Sequence, residues 1–541
     1  MYRQVEHRSK HNEKLRGWNL TLLDGKRQSF LSGRTTDSIK SDKKHTVEEG
    51  DESLTSSVRA VFRKIVLLIL LTLLILPLSL ETVGNLSHKS YLLALLVSCV
   101  LFAVIWFSRG MWKGLRDRMN GSNAVLHGAI LSILCLLVNG SFAFFFRPVQ
   151  AADYRTFFQV AKDLSLGIHP GMKDYVAMFP HILGYASFLS LFLKLFGQSL
   201  AVAVGLNVVL TTLSGIILFY LVYRQTDLCS AAVAYLLWIL CPSKMFYNTM
   251  SLSEPYYSFL ILLFFLLLRQ TEVLTTKEGR YRIIKIVMIA LSCGVILTLI
   301  QAARPIAMIP IIALVLWCGF LMDGETLRKH WKEWLLLGVV LILSYRVGTG
   351  LWRSYATEQL EQVPPSIPGY NIYVGFNLET NGSYSDNDMD LLQSRYFGEY
   401  ERNAEAAQQS MLQDAKLRIA EAKPLMLSLM LTKLKTLLGH DEGGVFYAME
   451  SLSSGQYSVC CILSNIWYYL VLLFAVCGSI TIWKRNESGS VLVWILFTIG
   501  LILAQLLVEV AARYHYALIP ILLMIAGYAF HQSAKQTNEI K

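Results

Sequence analysis

The chain alternates long apolar blocks with short polar connections, and the blocks predict membrane-spanning helices. A span needs about 20 mainly apolar residues, because the hydrocarbon layer is about 30 Å thick and a helix rises about 1.5 Å per residue. The pattern predicts an all-α polytopic membrane protein, a bundle of about twelve transmembrane helices with both termini in the cytoplasm. The predicted spans are 64–83, 91–107, 125–146, 199–223, 229–246, 252–269, 283–301, 304–321, 334–351, 461–482, 490–509 and 514–531.

One further apolar block, 180–197, is predicted to lie in the interface as an amphipathic juxtamembrane helix. It opens with a proline and carries His181 and Lys194, which suits a helix with polar groups toward the headgroups. If it crossed the membrane, basic connections that the positive-inside rule places in the cytoplasm would move outside. These connections are 269–285, 328–332 and 484–485.

The order of the blocks predicts five regions. Residues 1–63 are rich in charged and hydroxyl side chains without a helical or strand period, which favours a disordered cytoplasmic tail. The other regions are an extra transmembrane hairpin with a basic cytoplasmic loop (64–124), a core with a first extracytoplasmic loop at 147–198 (125–351), a large extracytoplasmic loop (352–460), and C-terminal spans with a short cytoplasmic tail (461–541).

Composition agrees with a membrane location. Of 541 residues, 54% are hydrophobic and 16% are charged, against about 25% charged in soluble domains. The net charge of +11 sits mostly in the N-terminus and in short connections, so we expect a lipid bilayer and no nucleic acid as partner. Nine cysteines show neither a disulfide framework nor zinc spacing, and no metal site is predicted.

Asp153, in RPVQAADYRTFFQ, is the predicted catalytic base. A carboxylate just beyond a span, near the headgroups, is costly unless it is hydrated or used. The alternative is that Asp153 caps a helix beginning near Tyr154, and the two roles can coexist. Asp163 and Asp174, in the same loop, are the fallback acids.

Glu254 and Lys244 lie near the outer ends of two predicted spans, in CPSKMFYNTMSLSEPYYSF. We predict that both face a common cleft and contact substrate. The alternative is interfacial anchoring by Lys and Tyr, which is common at membrane boundaries.

Three arginines at or near outer span ends, Arg304, Arg346 and Arg513, are predicted to bind the donor phosphate. A guanidinium binds phosphate bidentately and keeps its charge. Snorkelling explains any one of them alone. Glu509 precedes Arg513 by four residues, which favours a pair along one helix face, and it is included among the substrate-binding residues.

The large outer loop supplies aromatic, amide and carboxylate side chains of the kinds that bind sugars. A solvated, turn-rich loop has a similar composition, so this interpretation stays open. The run SDNDMD lacks the spacing of an EF-hand, so no cofactor is predicted, and a divalent cation is left as an alternative. The predicted substrate-binding residues of this loop are Tyr370, Asn377, Glu379 and Asn381.

The order of several short motifs resembles the GT-C glycosyltransferases, in particular the branch with the protein O-mannosyltransferases and the bacterial aminoarabinose transferases. The motifs are AADY, LFGQSLAV, ARP, YNIYVGFNLETNG and EVAARYHY, and the resemblance covers roughly residues 125–531. It implies a sugar carried on polyprenyl phosphate, an extracytoplasmic active site and a catalytic acid matching Asp153. Two features depart from the family: Asp153 lacks a paired acid, and the hairpin at 64–107 is extra.

The sequence therefore predicts a multi-pass cell-membrane enzyme that transfers a hexosyl or pentosyl group. The donor is a polyprenyl-phosphate-linked sugar, the acceptor is an extracytoplasmic glycan, lipid or protein, and one displacement inverts the anomeric centre. The alternatives are a transporter or flippase of a sugar-bearing or anionic lipid, and a membrane scaffold that binds a partner through its outer loops.

Overall fold

The computed structural model describes residues 36–84, 88–111, 113–275 and 279–531, with side chains from Ser57 onward except that of Thr275. Every regular element in these residues is helical, which confirms the all-α prediction. The α-helices are α1 (Thr36–Gly84), α2 (Lys89–Ser108), α3 (Lys113–Asn120), α4 (Ala124–Phe145), α5 (Ala152–Ser165), α6 (Lys173–Met178), α7 (His181–Phe196), α8 (Leu200–Gln225), α9 (Leu228–Ile239), α10 (Pro242–Asn248), α11 (Glu254–Thr275), α12 (Arg282–Ala303), α13 (Met308–Leu316), α14 (Gly324–Leu360), α15 (Gly369–Gly375), α16 (Asp386–Ser394), α17 (Ala404–Ala422), α18 (Met426–Leu438), α19 (Gly443–Phe446), α20 (Ser454–Arg485), α21 (Val491–Leu506) and α22 (Ile519–Phe530).

The protein is a multi-pass membrane protein. Within the described part of the chain, eight helices are long and apolar enough to cross a bilayer: α1 from Ser57, α2, α4, α8, α11, α12, α14 and α20. A ninth is added if α9 and α10, which are bent by 57°, form one span. The predicted count of about twelve is not confirmed, because the remaining predicted spans are broken or short helices. These are 229–246, 304–321, 490–509 and 514–531.

The chain divides into residues 1–55 and 56–541. The predicted tail, 1–63, lies outside the described residues up to position 35. From Thr36 its backbone belongs to α1.

The extra hairpin of α1 and α2 packs into the helical core. Glu81 of α1 lies 3.5 Å from the Nζ atom of Lys435 in α18, and the Tyr91 hydroxyl donates to the Gly439 carbonyl at 3.1 Å. Ser98 of α2 donates to the Ile466 carbonyl of α20 at 3.0 Å. These contacts tie the hairpin to α18, to the turn after α18 and to α20.

Helix α7 corresponds to the predicted juxtamembrane helix. Its 16 residues span about 24 Å, which is shorter than the hydrocarbon layer. One face is buried against α5 and α12, where a Cβ atom on Gly184 would lie 2.1 Å from the Ala302 carbonyl oxygen. The opposite face exposes Leu191, Leu195 and Phe196. Only glycine permits this approach, which brings the start of α7 to the end of α12.

Residues after α14 fold as helices instead of an open loop. Helix α14 continues to Leu360, beyond its predicted end at 351, and α20 begins at Ser454. Between them lie α15 to α19 with their connecting turns. This helical segment contacts α21 and the turn that follows it, next to the candidate site.

Candidate active site

A tight turn places Asp153 beside the start of α11. Ala152 adopts φ +45, and the Gln150 side chain donates to the Thr249 carbonyl at 3.2 Å and accepts from the Ser251 amide at 3.1 Å. These two bonds hold the turn against the segment that leads into Glu254. The N-cap of α5 is Ala151 and has no side-chain cap, so the alternative that Asp153 caps this helix is wrong.

Two ion pairs bring together residues from four parts of the chain. The Arg513 Nη2 atom lies 2.5 Å from Asp153 Oδ2, and Arg304 Nη2 lies 3.0 Å from Glu254 Oε1. The Tyr514 ring lies beside both guanidinium groups, with its centroid 5.1 Å from Arg304 Cζ and 5.5 Å from Arg513 Cζ. Both cations and both acids therefore belong to one cluster around Tyr514.

The cluster keeps unused hydrogen-bonding capacity. The Nε atoms of Arg304 and Arg513 and the Oε2 atom of Glu254 are buried without a partner. Buried polar atoms nearly always find a partner, so unpartnered ones next to a cleft indicate where a polar ligand binds.

Charge at the site is set by burial and by the two arginines. Burial opposes ionisation of Asp153, but the Arg513 guanidinium prevails and holds the pKa of this carboxyl below its usual range. Burial raises the pKa of Glu509, and burial together with Arg304 lowers the pKa of His181 to about 3. Asp153 is therefore ionised and His181 neutral at neutral pH.

A cavity of about 460 Å³ adjoins the cluster. It lies among the ends of α12 and α21, the start of α13, the outer part of α14 and the proline-rich turn before α15. Its polar lining includes His181, Gln301, Arg304, Arg353, Gln505 and Glu509. Its apolar lining includes Ile306, Met308, Ile309, Trp352 and Leu501. Met308 is exposed on the outer surface of α13, so one wall continues onto a helix surface of lipid-compatible composition.

The segment after α21 delivers Glu509 and Arg513 to the site. The Glu509 amide donates to the Asn371 carbonyl at 2.7 Å, and the Val510 amide donates to the Gly382 carbonyl at 2.8 Å. The motif YNIYVGFNLETNG therefore serves as a backbone platform for this segment.

Arg346 and Lys244 belong to neither the cavity lining nor the arginine cluster. Arg346 is exposed on α14 and does not line the cavity. Lys244 is buried, with its Nζ atom 4.8 Å from the centroid of the Trp238 ring and 3.4 Å from the Ile239 carbonyl oxygen. The structure brings together Arg304 and Arg513 of the predicted phosphate ligands, and Glu254 of the two residues near α10.

The predicted sugar ligands of the large loop are spread apart. Asn377 is buried and donates to Asp388 at 2.9 Å, and Asp388 in turn pairs with Arg418. Glu379 and Asn381 are exposed on the loop surface and do not line the cavity.

Tyr370 is nearer the site than the other three. It is buried, with its ring 5.5 Å from that of Phe179 and its hydroxyl without a partner. Asn371, the next residue, lines the cavity.

The fallback acids have structural partners. Asp163 accepts from the Gly171 amide at 2.9 Å and from the Gln159 side chain at 2.9 Å. Asp174 accepts from the Tyr396 hydroxyl at 2.8 Å. Of these three acids between α4 and α8, Asp153 alone belongs to the arginine cluster.

Several site residues were not predicted. His181, which the sequence analysis assigns to the headgroup layer, lines the cavity. Gln301 and Gln505 line it as well, and their signal is a polar side chain inside an apolar block. The HDEGG segment at 440–444 also abuts the site, where a Cβ atom on Gly443 would lie 3.3 Å from the Arg513 amide nitrogen.

In the described residues, no group of three or more His, Cys, Asp or Glu side chains is arranged to hold a metal ion. The chemistry of the cluster is that of an ionised carboxylate beside two guanidinium groups. Such a set can accept a proton at Asp153 and balance negative charge at the arginines.

No protein-family model matches the chain, and no curated protein sequence matches it significantly. The archaeal oligosaccharyltransferase AglB from Archaeoglobus fulgidus, in complex with an inhibitory peptide and a dolichol-phosphate, is similar with a TM-score of 0.43 at 11% identity, over 74% of this chain and 50% of that chain.

Two further solved structures are similar. The Archaeoglobus fulgidus oligosaccharyltransferase in complex with Zn and sulfate has a TM-score of 0.35 at 12% identity, over 74% of this chain and 53% of that chain. ArnT from Cupriavidus metallidurans, bound to undecaprenyl phosphate, has a TM-score of 0.33 at 11% identity, over 75% of this chain and 76% of that chain. The chain spans about half the length of the first two structures.

Proposed function

We propose that the protein is a membrane-embedded glycosyltransferase that moves a sugar from a polyprenyl-phosphate carrier to an extracytoplasmic acceptor. The observation that carries the proposal is the cluster of Asp153, Arg513 and Arg304 around Tyr514, of which Arg304 and Tyr514 line the cavity. That cavity joins a polar, charged lining to an apolar wall on α13 and α21. A lipid-linked sugar has the same division, with a polar head and an isoprenoid chain.

The donor phosphate is assigned to the Arg304 side of the cavity. Arg304 lines it, has an unpartnered buried Nε atom, and is oriented by Glu254. Small-molecule sites occupy roughly 300–1,000 Å³, so a cavity of about 460 Å³ suits a sugar phosphate head. The isoprenoid chain leaves along Met308 and Ile309 of α13.

Asp153 is the general base. It takes the proton of an acceptor hydroxyl as the hydroxyl oxygen bonds to the anomeric carbon. The bond between that carbon and the phosphate oxygen breaks, and its electron pair leaves with the lipid phosphate. Base catalysis of this kind contributes roughly 10² to 10⁴ in rate.

Arg304 and Arg513 meet the charge that develops on the leaving phosphate. Preorganised cations in a site sheltered from water supply a large share of such catalysis. A single displacement inverts the anomeric centre, and Asp153 serves it without a second carboxylate acting as nucleophile.

The experiment compares Asp153→Asn with wild type in membranes supplied with polyprenyl-phosphate-linked hexoses and pentoses. Asp390→Asn, an exposed acid outside the site, is the matched control. We expect consumption of one lipid-linked sugar by wild type and by the control, and its loss in Asp153→Asn at equal protein abundance. Equal consumption by all three proteins would exclude Asp153 as the base.

A further inference from the structure

Lys433 of α18 is a fully buried cation that the proposed chemistry does not use. Its Nζ atom donates to three carbonyl oxygens, those of Gly375 at 2.7 Å, Leu506 at 2.8 Å and Val508 at 2.6 Å. An ammonium group has three N–H donors, so this arrangement uses all of them. A desolvated cation surrounded by main-chain acceptors is costly to bury unless these bonds are made.

The three carbonyls belong to two pieces of chain that meet at the site. Gly375 ends α15, whereas Leu506 ends α21 and Val508 lies two residues beyond it. The contact between them is tight, because a Cβ atom on Gly375 would lie 2.6 Å from the backbone of Val508. Lys433 therefore joins the end of α21 to the loop segment 369–382, which also receives the amide bonds of Glu509 and Val510.

The joined segment continues directly into the active site. Glu509 follows Val508 and lines the cavity, and Arg513 lies four residues further on and pairs with Asp153. A shift of the 506–510 segment would therefore move the Arg513 guanidinium relative to Asp153. Misplacement of a reacting group by about 1 Å can cost about 10²-fold in rate.

We propose that Lys433 is a positioning residue of the transferase. Its ammonium form holds the 506–510 segment on the 369–382 loop and so keeps Glu509 and Arg513 in place, and loss of its proton loosens that segment. This inference rests on the proposed function. It assigns the outer loop a positioning role in addition to any contact with substrate.

The charges around Lys433 decide how it responds to pH. Glu509 is the charged group that acts on the Lys433 ammonium. The other charged groups on the elements packed against Lys433 have partners or are exposed. These are Arg513 with Asp153, His515 with Asp441, Lys435 with Glu81, and the exposed Glu379 and Lys423. Burial outweighs the attraction of Glu509 and lowers the pKa of Lys433 to about 7.

A neutral amine has two N–H donors, so one of the three carbonyls loses its partner above that pH. The effect on overall stability has the opposite sign. Between pH 7 and the ordinary pKa of lysine, the unfolded chain binds the proton that the folded chain lacks, so this group's contribution to stability rises with pH. If Lys433 acts by positioning, activity should therefore fall at alkaline pH while the stability of the protein does not.

The first test measures kcat and the thermal unfolding midpoint from pH 6 to 9 in purified wild type, Lys433→Arg, Lys433→Met and the exposed control Lys423→Met. For wild type and the control we expect kcat to fall above about pH 7 while the midpoint holds or rises. Lys433→Arg, which stays charged, should keep its kcat to pH 9, and Lys433→Met should lose about 10²-fold at pH 6.5. An alkaline decline that is identical in Lys433→Arg, or wild-type kcat in Lys433→Met, overturns the proposal.

The second test needs no turnover. Hydrogen exchange at the Glu509 and Val510 amides, corrected for intrinsic pH dependence, should be about tenfold faster above pH 8 than at pH 6.5 in wild type. Unchanged protection across this range overturns the inference. Parallel assays of Asp153→Asn separate the two proposals: if that variant turns over normally the transferase mechanism fails, whereas the exchange result still decides the role of Lys433.

Discussion

The Nη2 atom of Arg513 lies 2.5 Å from the Oδ2 atom of Asp153, although the two residues are 360 positions apart in the chain. The pair joins the first turn of α5 to the turn that follows α21. Tyr514 extends the contact to Arg304, at the end of α12. An ionised acid and two guanidinium groups from distant segments therefore meet in one cluster, and Arg304 connects this cluster to the cavity.

Replacing Arg304 should weaken donor binding far more than replacing Arg346. Arg304 lines the cavity, whereas Arg346 is exposed on α14 outside it. Because Glu254 would be left buried without a partner, the informative variant is Arg304→Met combined with Glu254→Gln. We expect KM for the lipid-linked sugar to rise about 10- to 100-fold, since hydrogen bonds to charged groups contribute about 1.5–3 kcal/mol. Arg346→Met should stay within about twofold, and equal effects of the two changes would contradict the phosphate assignment.

Gln301 and Gln505 should contribute to donor binding and not to stability. Their Oε1 atoms are buried at the cavity wall without a partner in the described chain. Replacing either by leucine removes an unsatisfied acceptor, so the unfolding midpoint should hold or rise. Affinity for the donor should fall about tenfold if the amides bind its head group. Titration of the lipid-linked sugar and a thermal scan on the same samples provide the check, and a lower midpoint at unchanged affinity is the contrary result.

Gly184→Ala should destabilise the protein and lower its activity. The added methyl group would meet the Ala302 backbone, which cannot move aside as a side chain does. Overpacking of this kind costs about 1–3 kcal/mol, and it displaces His181 and Arg304 together. Gly140→Ala is the control, because nothing lies within 4 Å of the added atom in α4. There alanine should stabilise by up to about 1 kcal/mol through its helix propensity. Thermal unfolding in detergent distinguishes Gly184→Ala from Gly140→Ala. Equal midpoints for these two variants would show that α7 and α12 leave room for the added methyl group.

The ion pair of Asp153 should stabilise the fold down to acidic pH. The lowered pKa of Asp153 means that its stabilising contribution is present above its unfolded value of 3.8 and is lost as pH falls through the folded value. Asp153→Asn should therefore unfold earlier than wild type at pH 7, and the difference should shrink below pH 4. Unfolding midpoints between pH 3 and 7 measure this, and a constant difference would indicate that Asp153 is not ionised in the folded protein.

Much of the cluster could be predicted because sidedness follows from charge and apolar length. Asp153, Glu254, Arg304 and Arg513 each stand near the outer end of an apolar block, so the positive-inside rule places them at one face. The length of a helix and the face on which each residue lies are harder to predict. Helix α14 continues to Leu360, through the polar residues after position 351. Arg353 therefore lines the cavity while Arg346 is exposed outside it.

The large loop shows why composition alone does not identify ligand contacts. Asn377 and Asp388 have the side chains of a sugar site, yet they bond to each other, and Asp388 bonds to Arg418, which lies 30 positions further along the sequence. Pairing over that distance leaves no local pattern. The same holds for Lys433, whose three acceptors are main-chain carbonyls and carry no residue-type signal.

The most direct measurement compares single-turnover consumption of the lipid-linked sugar by purified wild type and Asp153→Asn, with donor affinity determined on the same samples. We predict that Asp153→Asn keeps its donor affinity within a few fold while its rate falls about 10² to 10⁴-fold, the contribution expected of a general base. A rate that is unchanged in Asp153→Asn at equal donor occupancy would contradict this prediction.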